Sequence, residues 1–373
     1  MNIFNRNFGS SKKEEIEIKI QKDNNEIAFP KWDFKIMFLR ALNKTSLSNI
    51  GEYQLNIYKT LLGDLEVIIS EFINLGYIKI PTFIDCLDNA MTVKQLNVFL
   101  KTKGVKSTGN KNELMLRANG LFSTDERKRI EENGFMYVVT SYGWEIVNSD
   151  KERFKSELTS FENLVVNELL RDECENACKY VSHFYSTYPF PIGMGMDWEK
   201  GFSENDKAIV NYILRSNYLT QSMVMPEEMN TKIRAIIAAD YLLSNSKRFS
   251  GVSISDKILF AFPEFKCEQI ESFLNNNPTG IFQSYDSKNQ ADIVYIFNHT
   301  IINEAHNKIE LERIMKYRED SLFKGILILE GKNNCEYCTN AELKYSWENI
   351  KSLPKLPKYP GCICLYLPMT KNN

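Results

Sequence analysis

The sequence lacks the features that mark several large classes of protein. Its most apolar stretches, 65–73 and 233–243, fall well short of the roughly 20 residues that a membrane-spanning helix needs. It contains no glycine-rich phosphate loop, no nucleophile elbow and no His-Glu-x-x-His pair. The first 26 residues are polar and have no apolar core of the secretory kind. We therefore expect a cytoplasmic protein that has no membrane segment and none of these catalytic motifs.

Net charge is also nearly absent. The chain of 373 residues has a formal charge of −2, so any contact with a nucleic acid must be local rather than spread over the whole surface. Hydrophobic residues make up 43% and aromatic residues 12%, which is enough for packed cores in about two or three domains. The 8 cysteines then indicate thiols or metal ligands rather than a disulfide framework. Heavy use of Lys, Asn and Ile is typical of an AT-rich bacterial or phage genome.

The stretch 91–118 predicts two short helices joined by a basic turn. In the first helix, Thr92 followed by Gln95 has the spacing of a capping box, which satisfies backbone donors at a helix start. Gly104 stands where the end of this helix needs a left-handed residue. Between these signals the apolar side chains fall on one helical face, namely Val93, Leu96, Phe99 and Leu100.

The turn 105–111 leads into the second helix. Asn110 is expected to cap this helix with Glu113 as its box partner, and Leu114 carries the apolar face. Free amides at the helix start, together with the helix dipole, favour a bound anion. The stretch 91–118 has six cations and one acid, hence a charge of +5, and the cations are Lys94, Lys101, Lys103, Lys106, Lys111 and Arg117.

This order of features resembles the SAP domain, a small helix–turn–helix module that binds DNA. The features that match are Met91-Thr92-Val93, Leu96, Leu100, Gly104-Val105, Gly109-Asn110-Lys111, Glu113-Leu114 and Arg117. Met91 replaces the usual leucine, and Ala118-Asn119-Gly120 ends the second helix earlier than the family does.

The resemblance implies a function as well as a local fold. It implies contact with duplex phosphates and little base reading. A solvated basic hairpin that binds nothing is the alternative. The residues implied in the contact are Lys94, Lys101, Lys103, Lys106, Thr108, Gly109, Asn110, Lys111 and Arg117.

The remainder of the chain predicts a mainly α protein with small β elements, divided into several domains. We expect a polar tail over 1–29 and an N-terminal α+β unit over 30–150, in which the helix pair is embedded. A helical domain over 151–322 follows, and a small Cys-rich β element over 323–373 ends the chain. The helical domain is expected to bind a protein partner or a second copy of the chain.

Shorter patterns refine this division. The β-prone runs 77–81 and 135–140 predict short strands in the N-terminal unit. Residues 150–188 predict one long helical stretch, and the Pro- and Gly-containing run 189–195 predicts a loop or hinge.

The end of the chain carries two cysteine pairs that predict a structural zinc site. Cys335-x-x-Cys338 and Cys362-x-Cys364 could supply four thiolates to one tetrahedral ion. A redox dithiol, inert buried cysteines or an opportunistic disulfide remain open as alternatives. The tail also resembles that of phage head-morphogenesis-like and related bacterial proteins, although Tyr359 and Ile363 stand where His and Arg are frequent. A phage or prophage structural role is therefore a further hypothesis.

A catalytic hypothesis concerns residues 150–330. His299, Asn303, His306 and Glu310 share one helical face, which could form the site of a DNA-directed nuclease or transferase. A polar face packed on another part of the protein is the favoured interpretation. A second group, Cys174, Cys178 and His183, is better explained by buried small hydrophobic residues than by a metal site.

Overall fold

The computed structural model describes residues 29–188, 201–216, 227–244, 252–277, 284–329, 343–357 and 359–370. Within these ranges the fold is mainly helical, with one two-stranded and one three-stranded antiparallel sheet. The predicted fold class, mainly α with small β elements, is confirmed. None of the helices in these ranges is both long and apolar enough to cross a bilayer.

Three helices open the described chain. Asp33 and Asp64 accept hydrogen bonds from Ile36 N and Glu66 N, so the first and third helices begin at capped positions. The three helices and the short strands that follow enclose a small core that includes Phe38, Leu39, Tyr58, Ile69 and Phe72. The helices are α1 (Phe34–Ala41), α2 (Glu52–Leu62) and α3 (Leu65–Asn74).

Four helices are inserted between two paired strands. The strand β1 (Ile78–Lys79) runs antiparallel to β2 (Val138–Val139), with Ile78 opposite Val139, and both strands lie within the β-prone runs of the sequence. The helices between them, which we call the insertion, are α4 (Phe83–Ala90), α5 (Val93–Thr102), α6 (Lys111–Ala118) and α7 (Thr124–Gly134).

The insertion has a hydrophobic cluster of its own. This cluster is separate from the core of the first three helices and consists of Leu87, Leu96, Leu100, Leu114, Met115 and Ala118. Helices α4 and α7 approach closely because Gly134 has no side chain, since a Cβ there would lie 2.1 Å from the carbonyl oxygen of Cys86. The predicted helix pair therefore packs as part of a four-helix unit.

A helix of 30 residues, α8 (Ser141–Leu170), follows β2 and crosses residue 150 without a break. Its first half places Val147 in the core of the first three helices. Its second half places Phe154 and Leu158 in the larger core of the described residues that follow 150, which we call the helical region. The boundary predicted at residue 150 thus lies inside one helix, at the point where that helix changes from one core to the other.

The stretch 150–188 is two helices rather than one. Helix α8 ends at Leu170, and Asp172 adopts a left-handed conformation with φ of 62° that turns the chain. Helix α9 (Cys174–Ser186) then packs back on α8. The predicted loop or hinge at 189–195 lies outside the described residues.

In the part of the chain that the structure describes, five further helices and a sheet complete the large core. The sheet has strand order β4-β3-β5, with Leu327 opposite both Lys344 and Leu367, and β5 packs on the longest of the five helices. The strands are β3 (Phe323–Leu329), β4 (Lys344–Ser346) and β5 (Leu365–Thr370). The helices are α10 (Glu204–Leu214), α11 (Glu227–Leu242), α12 (Ile254–Ala261), α13 (Glu268–Asn276) and α14 (Gln290–Met315).

Candidate nucleic-acid interface

The first helix of the predicted pair begins and ends as its sequence indicates. Gln95 N donates to Thr92 Oγ1 at 3.3 Å and Thr92 N donates to Gln95 Oε1 at 2.8 Å, which completes the capping box. At the other end Gly104 has a φ of 70°. Leu96 and Leu100 are buried, and they fix this helix on the cluster of the insertion.

Two other residues of the predicted apolar face have different surroundings. Val93 is exposed, with 41% of its surface accessible, because it lies at the first turn and beyond the packed part of the face. Phe99 is only partly buried, and its ring stacks on Phe122 with 4.1 Å between centroids. The packed face is therefore narrower than the sequence pattern.

Helix α6 is capped by Asn110, whose Oδ1 accepts from Glu113 N at 3.0 Å. The return half of the expected capping box does not form. The Glu113 carboxylate instead accepts from Asn110 Nδ2 at 3.1 Å and from Arg117 Nη2 at 3.3 Å. A nearby cation thus draws this carboxylate away from the backbone at the helix start.

Arg117 is bound to the turn. Its Nη1 donates to the carbonyl oxygen of Lys106 at 2.5 Å and its Nη2 donates to that of Thr108 at 2.8 Å. Only 26% of the Arg117 side chain is accessible. Gly109 packs against the same guanidinium, because a Cβ on this glycine would lie 2.6 Å from Arg117 Nη2.

Lys111 is also paired. Its Nζ lies 2.8 Å from Asp88 Oδ1 and donates to the Asp88 carbonyl oxygen at 2.5 Å. This contact ties the start of α6 to the end of α4. Nothing in the sequence indicates it, since the two residues are 23 positions apart and meet only when the four helices pack.

The other four cations of the stretch, Lys94, Lys101, Lys103 and Lys106, are exposed. None of them forms an ion pair with any residue that the structure describes. Lys103 Nζ lies 5.5 Å from the centroid of the Phe99 ring, which holds this ammonium beside the turn. The predicted set of six cations therefore divides into four without a carboxylate partner and two, Lys111 and Arg117, with one.

The backbone of the turn is also open. Thr108, Gly109 and Asn110 are exposed, and Gly109 has a φ of 139°, which favours glycine. Within the described ranges we find no acceptor for the amides of Thr108 and Gly109. Amides of this kind, beside the positive end of a helix dipole, suit an anion.

One acid of α7, Glu126, lies close enough to Lys103 for the two charges to interact. The backbone and hydroxyl of Ser123 donate to Glu126, with Ser123 N at 2.7 Å, and they hold the pKa of that carboxyl below its ordinary value. Lys103 and Arg129 lower this pKa further through their charge. The charge of Lys103 therefore acts on a carboxylate of α7, although the two groups form no ion pair.

Of the cysteines predicted to bind zinc, only Cys362 and Cys364 lie in the described part of the chain; Cys335 and Cys338 lie outside it. Both described cysteines are buried, and Ile363 between them is 43% exposed. No group of three or more His, Cys, Asp or Glu within the described ranges is arranged to hold a metal ion.

The helix face that was considered for catalysis holds the end of the chain in place. Asn303 Nδ2 donates to the carbonyl oxygen of Cys362, and Asn307 Nδ2 donates to that of Cys364 at 2.9 Å. Asn307 Oδ1 accepts from Tyr366 N at 3.0 Å. These asparagines satisfy the buried backbone that precedes and begins β5.

The two histidines of this face do not share a site. His299 is exposed and lies over the Tyr295 ring at 4.4 Å, whereas His306 lines a cleft of about 440 Å³ between α10, α14 and β5. Burial lowers the pKa of His306, against the charges of Asp206 and Glu310.

The carboxylates of this cleft already have hydrogen-bond partners within the described residues. Tyr241 donates to Asp206 Oδ1 at 2.9 Å, Ser203 N donates to Asp206 Oδ2 at 3.1 Å, and Arg313 Nε donates to Glu310 at 2.9 Å. His306 and the exposed Asn205 are therefore polar side chains of this cleft that the bonds above do not involve.

Cys174 and Cys178 are buried against α8 and α10 in the large core. The hydrogen bond between the two thiols, followed by burial, raises the pKa of Cys178. His183 contacts the Phe29 ring at 4.7 Å. This arrangement agrees with small hydrophobic residues in a core.

Comparison with known proteins adds no relative. No protein-family model, no curated protein and no solved structure matches the chain.

Proposed function

We propose that this protein binds duplex DNA through the insertion, using Lys94, Lys101, Lys103 and Lys106 as phosphate contacts. The observation that carries the proposal is that these four lysines are exposed and form no ion pair with a described residue, and that the amides of Thr108 and Gly109 in the turn have no acceptor within the described ranges. The resemblance of 91–118 to the SAP domain supports the same function. The nine residues implied by that resemblance then have two roles, since Lys111 and Arg117 hold the turn and the others face the polyanion.

Contacts of this kind favour affinity over sequence discrimination. Lysine ammonium groups and backbone amides bind phosphate oxygens, which are the same at every base pair. The proposal therefore includes low sequence specificity and strong dependence on salt.

Fluorescence anisotropy with a labelled 20-base-pair duplex at several salt concentrations tests the proposal. Four phosphate contacts give a slope of log K against log salt of roughly −3.6, and all six cations would give roughly −5.4. Lys106→Gln is expected to make the slope less negative by about 0.9. A matched control is Lys151→Gln, which removes an exposed lysine from α8. Binding that is insensitive to salt, or equal effects of the two variants, would contradict the proposal.

We also propose that the helical region binds a protein partner or a second copy of the chain. Phe260 of α12, of whose surface 92% is exposed, is the apolar side chain at which we expect such a contact. Light scattering after size-exclusion chromatography, with Phe260→Ser as the comparison, tests self-association.

The nuclease, transferase and phage structural roles stay predictions, because no contact described above favours them. Plasmid nicking that is lost in His306→Ala would support the nuclease role.

A structural zinc ion held by the four C-terminal cysteines also stays a proposal. Leu329, the last residue of β3, pairs with Leu365, the residue after Cys364, and the chain that carries Cys335 and Cys338 follows β3 directly. Cys362 and Cys364 thus lie just before the end of β5 that pairs with the last residue of β3. One equivalent of zinc in the reduced protein, absent from Cys362→Ser, is the expected result, and its absence from the wild type would contradict the proposal.

A further inference from the structure

The contacts of Arg117 differ in kind from those of the four exposed lysines. The guanidinium donates to two carbonyl oxygens, those of Lys106 and Thr108, which lie on either side of Ser107 in the turn. Two parallel donors of one planar group fix the relative position of two acceptors. Arg117 therefore constrains the backbone path between α5 and α6.

Two neighbours hold this guanidinium in place. Glu113 Oε2 accepts from Arg117 Nη2 at 3.3 Å. Gly109 leaves the space that the ion pair occupies, since a Cβ there would lie 2.2 Å from Glu113 Oε2. Arg117, Glu113 and Gly109 together form one packed arrangement beneath the turn.

We propose that Arg117 is a positioning residue, which shapes the turn so that the Lys106 side chain and the amides of Thr108 and Gly109 face the polyanion. The inference rests on the proposed function and assigns Arg117 a role that the sequence pattern does not, because the pattern places it among the phosphate contacts. Arg117 acts through the turn, and its own charge is neutralised by Glu113.

The distinction depends on the shape of the side chain rather than on its charge. Lysine keeps the positive charge but has a single ammonium on a flexible chain, which does not bridge two carbonyl oxygens in a fixed geometry. Arg117→Lys therefore separates the two roles. A direct phosphate contact tolerates this change, whereas a residue that positions the turn does not.

The test measures DNA affinity and its salt slope for full-length Arg117→Lys and Arg117→Gln, with Lys106→Arg and Lys106→Gln as matched variants. Both Arg117 variants are expected to bind on the order of tenfold more weakly, with the wild-type slope. Lys106→Arg is expected to bind like the wild type. Lys106→Gln is expected to have a salt slope that is less negative by about 0.9. Thermal unfolding followed by circular dichroism shows whether each variant is folded.

A spectroscopic measurement follows the turn itself. In protein labelled with ¹⁵N-threonine and ¹⁵N-glycine, the amide signals of Thr108 and Gly109 are expected to shift in Arg117→Lys and to remain in place in Lys106→Arg. Gly109→Ala is a second route to the same result, because its Cβ displaces the ion pair of Glu113 and Arg117. It keeps every charge, so weaker binding with an unchanged slope is again expected.

The outcomes separate the inference from the function on which it rests. Wild-type affinity in a folded Arg117→Lys variant with shifted amides overturns the positioning role. The positioning role is also overturned if the slope of log K against log salt becomes less negative by about 0.9 in Arg117→Gln, because Arg117 would then be a direct phosphate contact. If the amide signals of Thr108 and Gly109 do not shift in Arg117→Lys, Arg117 does not position the turn, whether or not the protein binds DNA. If the two amide signals shift in Arg117→Lys but the wild-type protein shows no salt-dependent binding to DNA, only the proposed function is contradicted.

Discussion

The helical region and the insertion use their cations in different ways. In the helical region several lysines join separate elements, as Lys257 of α12 does with Glu162 of α8 at 3.0 Å, and Lys207 of α10 with Glu175 of α9 at 3.0 Å. In the insertion Lys111 and Arg117 have the same kind of role, but the four exposed lysines do not. The comparison teaches that a count of charges overestimates a binding surface, because paired cations contribute to structure.

The strongest way to break the comparison is to reverse the four exposed lysines. Changing Lys94, Lys101, Lys103 and Lys106 together to Glu is expected to weaken DNA binding by roughly 10³-fold or more at 0.1 M salt. Anisotropy titration measures the loss. The matched control reverses four exposed lysines outside the insertion, Lys151, Lys179, Lys266 and Lys351, with the same change in net charge. A similar loss in the control would mean that binding follows total charge rather than this surface.

The next change removes one partner of an ion pair that joins two helices of the helical region. Glu162→Ala leaves the Lys257 ammonium, whose side chain is only 18% accessible, without its carboxylate. We expect a loss of roughly 2–4 kcal/mol in the free energy of unfolding, because a largely buried charge is left unpaired. Urea denaturation measures it, and DNA affinity is expected to stay unchanged.

The control for this change is an exposed pair of similar composition. Lys308 and Glu312 are 51% and 58% accessible, so Glu312→Ala is expected to cost about 0–1 kcal/mol. Equal losses in the two variants would show that the pair of α8 and α12 is no more important than a surface pair.

Releasing a paired lysine sharpens the comparison. Asp88→Asn removes the carboxylate 2.8 Å from Lys111 and leaves only the backbone carbonyl oxygen of residue 88, so that Lys111 becomes a fifth cation without a carboxylate partner. DNA affinity is expected to rise by up to roughly tenfold at 0.1 M salt, and the salt slope to become more negative by about 0.9. Asp125→Asn, at an exposed acid of α7, makes the same charge change without freeing Lys111. If the control variant gains as much, the effect comes from net charge and not from Lys111.

The smallest expected effect concerns Glu126, the acid of α7 whose pKa is lowered in part by the charge of Lys103. Because its pKa is lowered in the folded protein, this carboxylate contributes stability at pH values above its unfolded pKa, and the contribution is lost as the pH falls through the folded pKa. NMR titration is expected to find the pKa of Glu126 raised toward its ordinary value in Ser123→Ala, and raised less in Lys103→Gln. The backbone N–H of residue 123 stays in place in this variant, so an unchanged pKa in Ser123→Ala would show that the Ser123 hydroxyl does not contribute to holding this carboxylate.

Local signals were sufficient for the helix pair and its ends. Thr92 with Gln95, Gly104 and Asn110 define helix boundaries through contacts within a few residues, and such contacts can be read from spacing. The strands β1 and β2 were also predicted from local composition. Their pairing was not, because 58 residues separate Lys79 from Val138 and spacing carries no information on such contacts.

Long-range contacts account for what the sequence did not reveal about the candidate site. The pairing of Lys111 with Asp88 depends on how α4 and α6 pack. Arg117 was included among the phosphate contacts because its type and position fit, whereas the direction of its guanidinium depends on the backbone of the turn. Asn303 of α14 was predicted as part of a polar face, but Asn307 and the partners of both asparagines near Cys362 and Cys364 were not.

The attachment of the insertion has a mechanical consequence. The chain enters through β1 and leaves through β2, two neighbours that lie roughly 5 Å apart, so the four helices are anchored at two adjacent points. Thr140, directly after β2, donates to the carbonyl oxygen of Gly76 at 2.6 Å and caps α8, which is roughly 45 Å long. A force applied to the insertion is thus transmitted through β2 and Thr140 into α8, and along α8 from one hydrophobic core to the other.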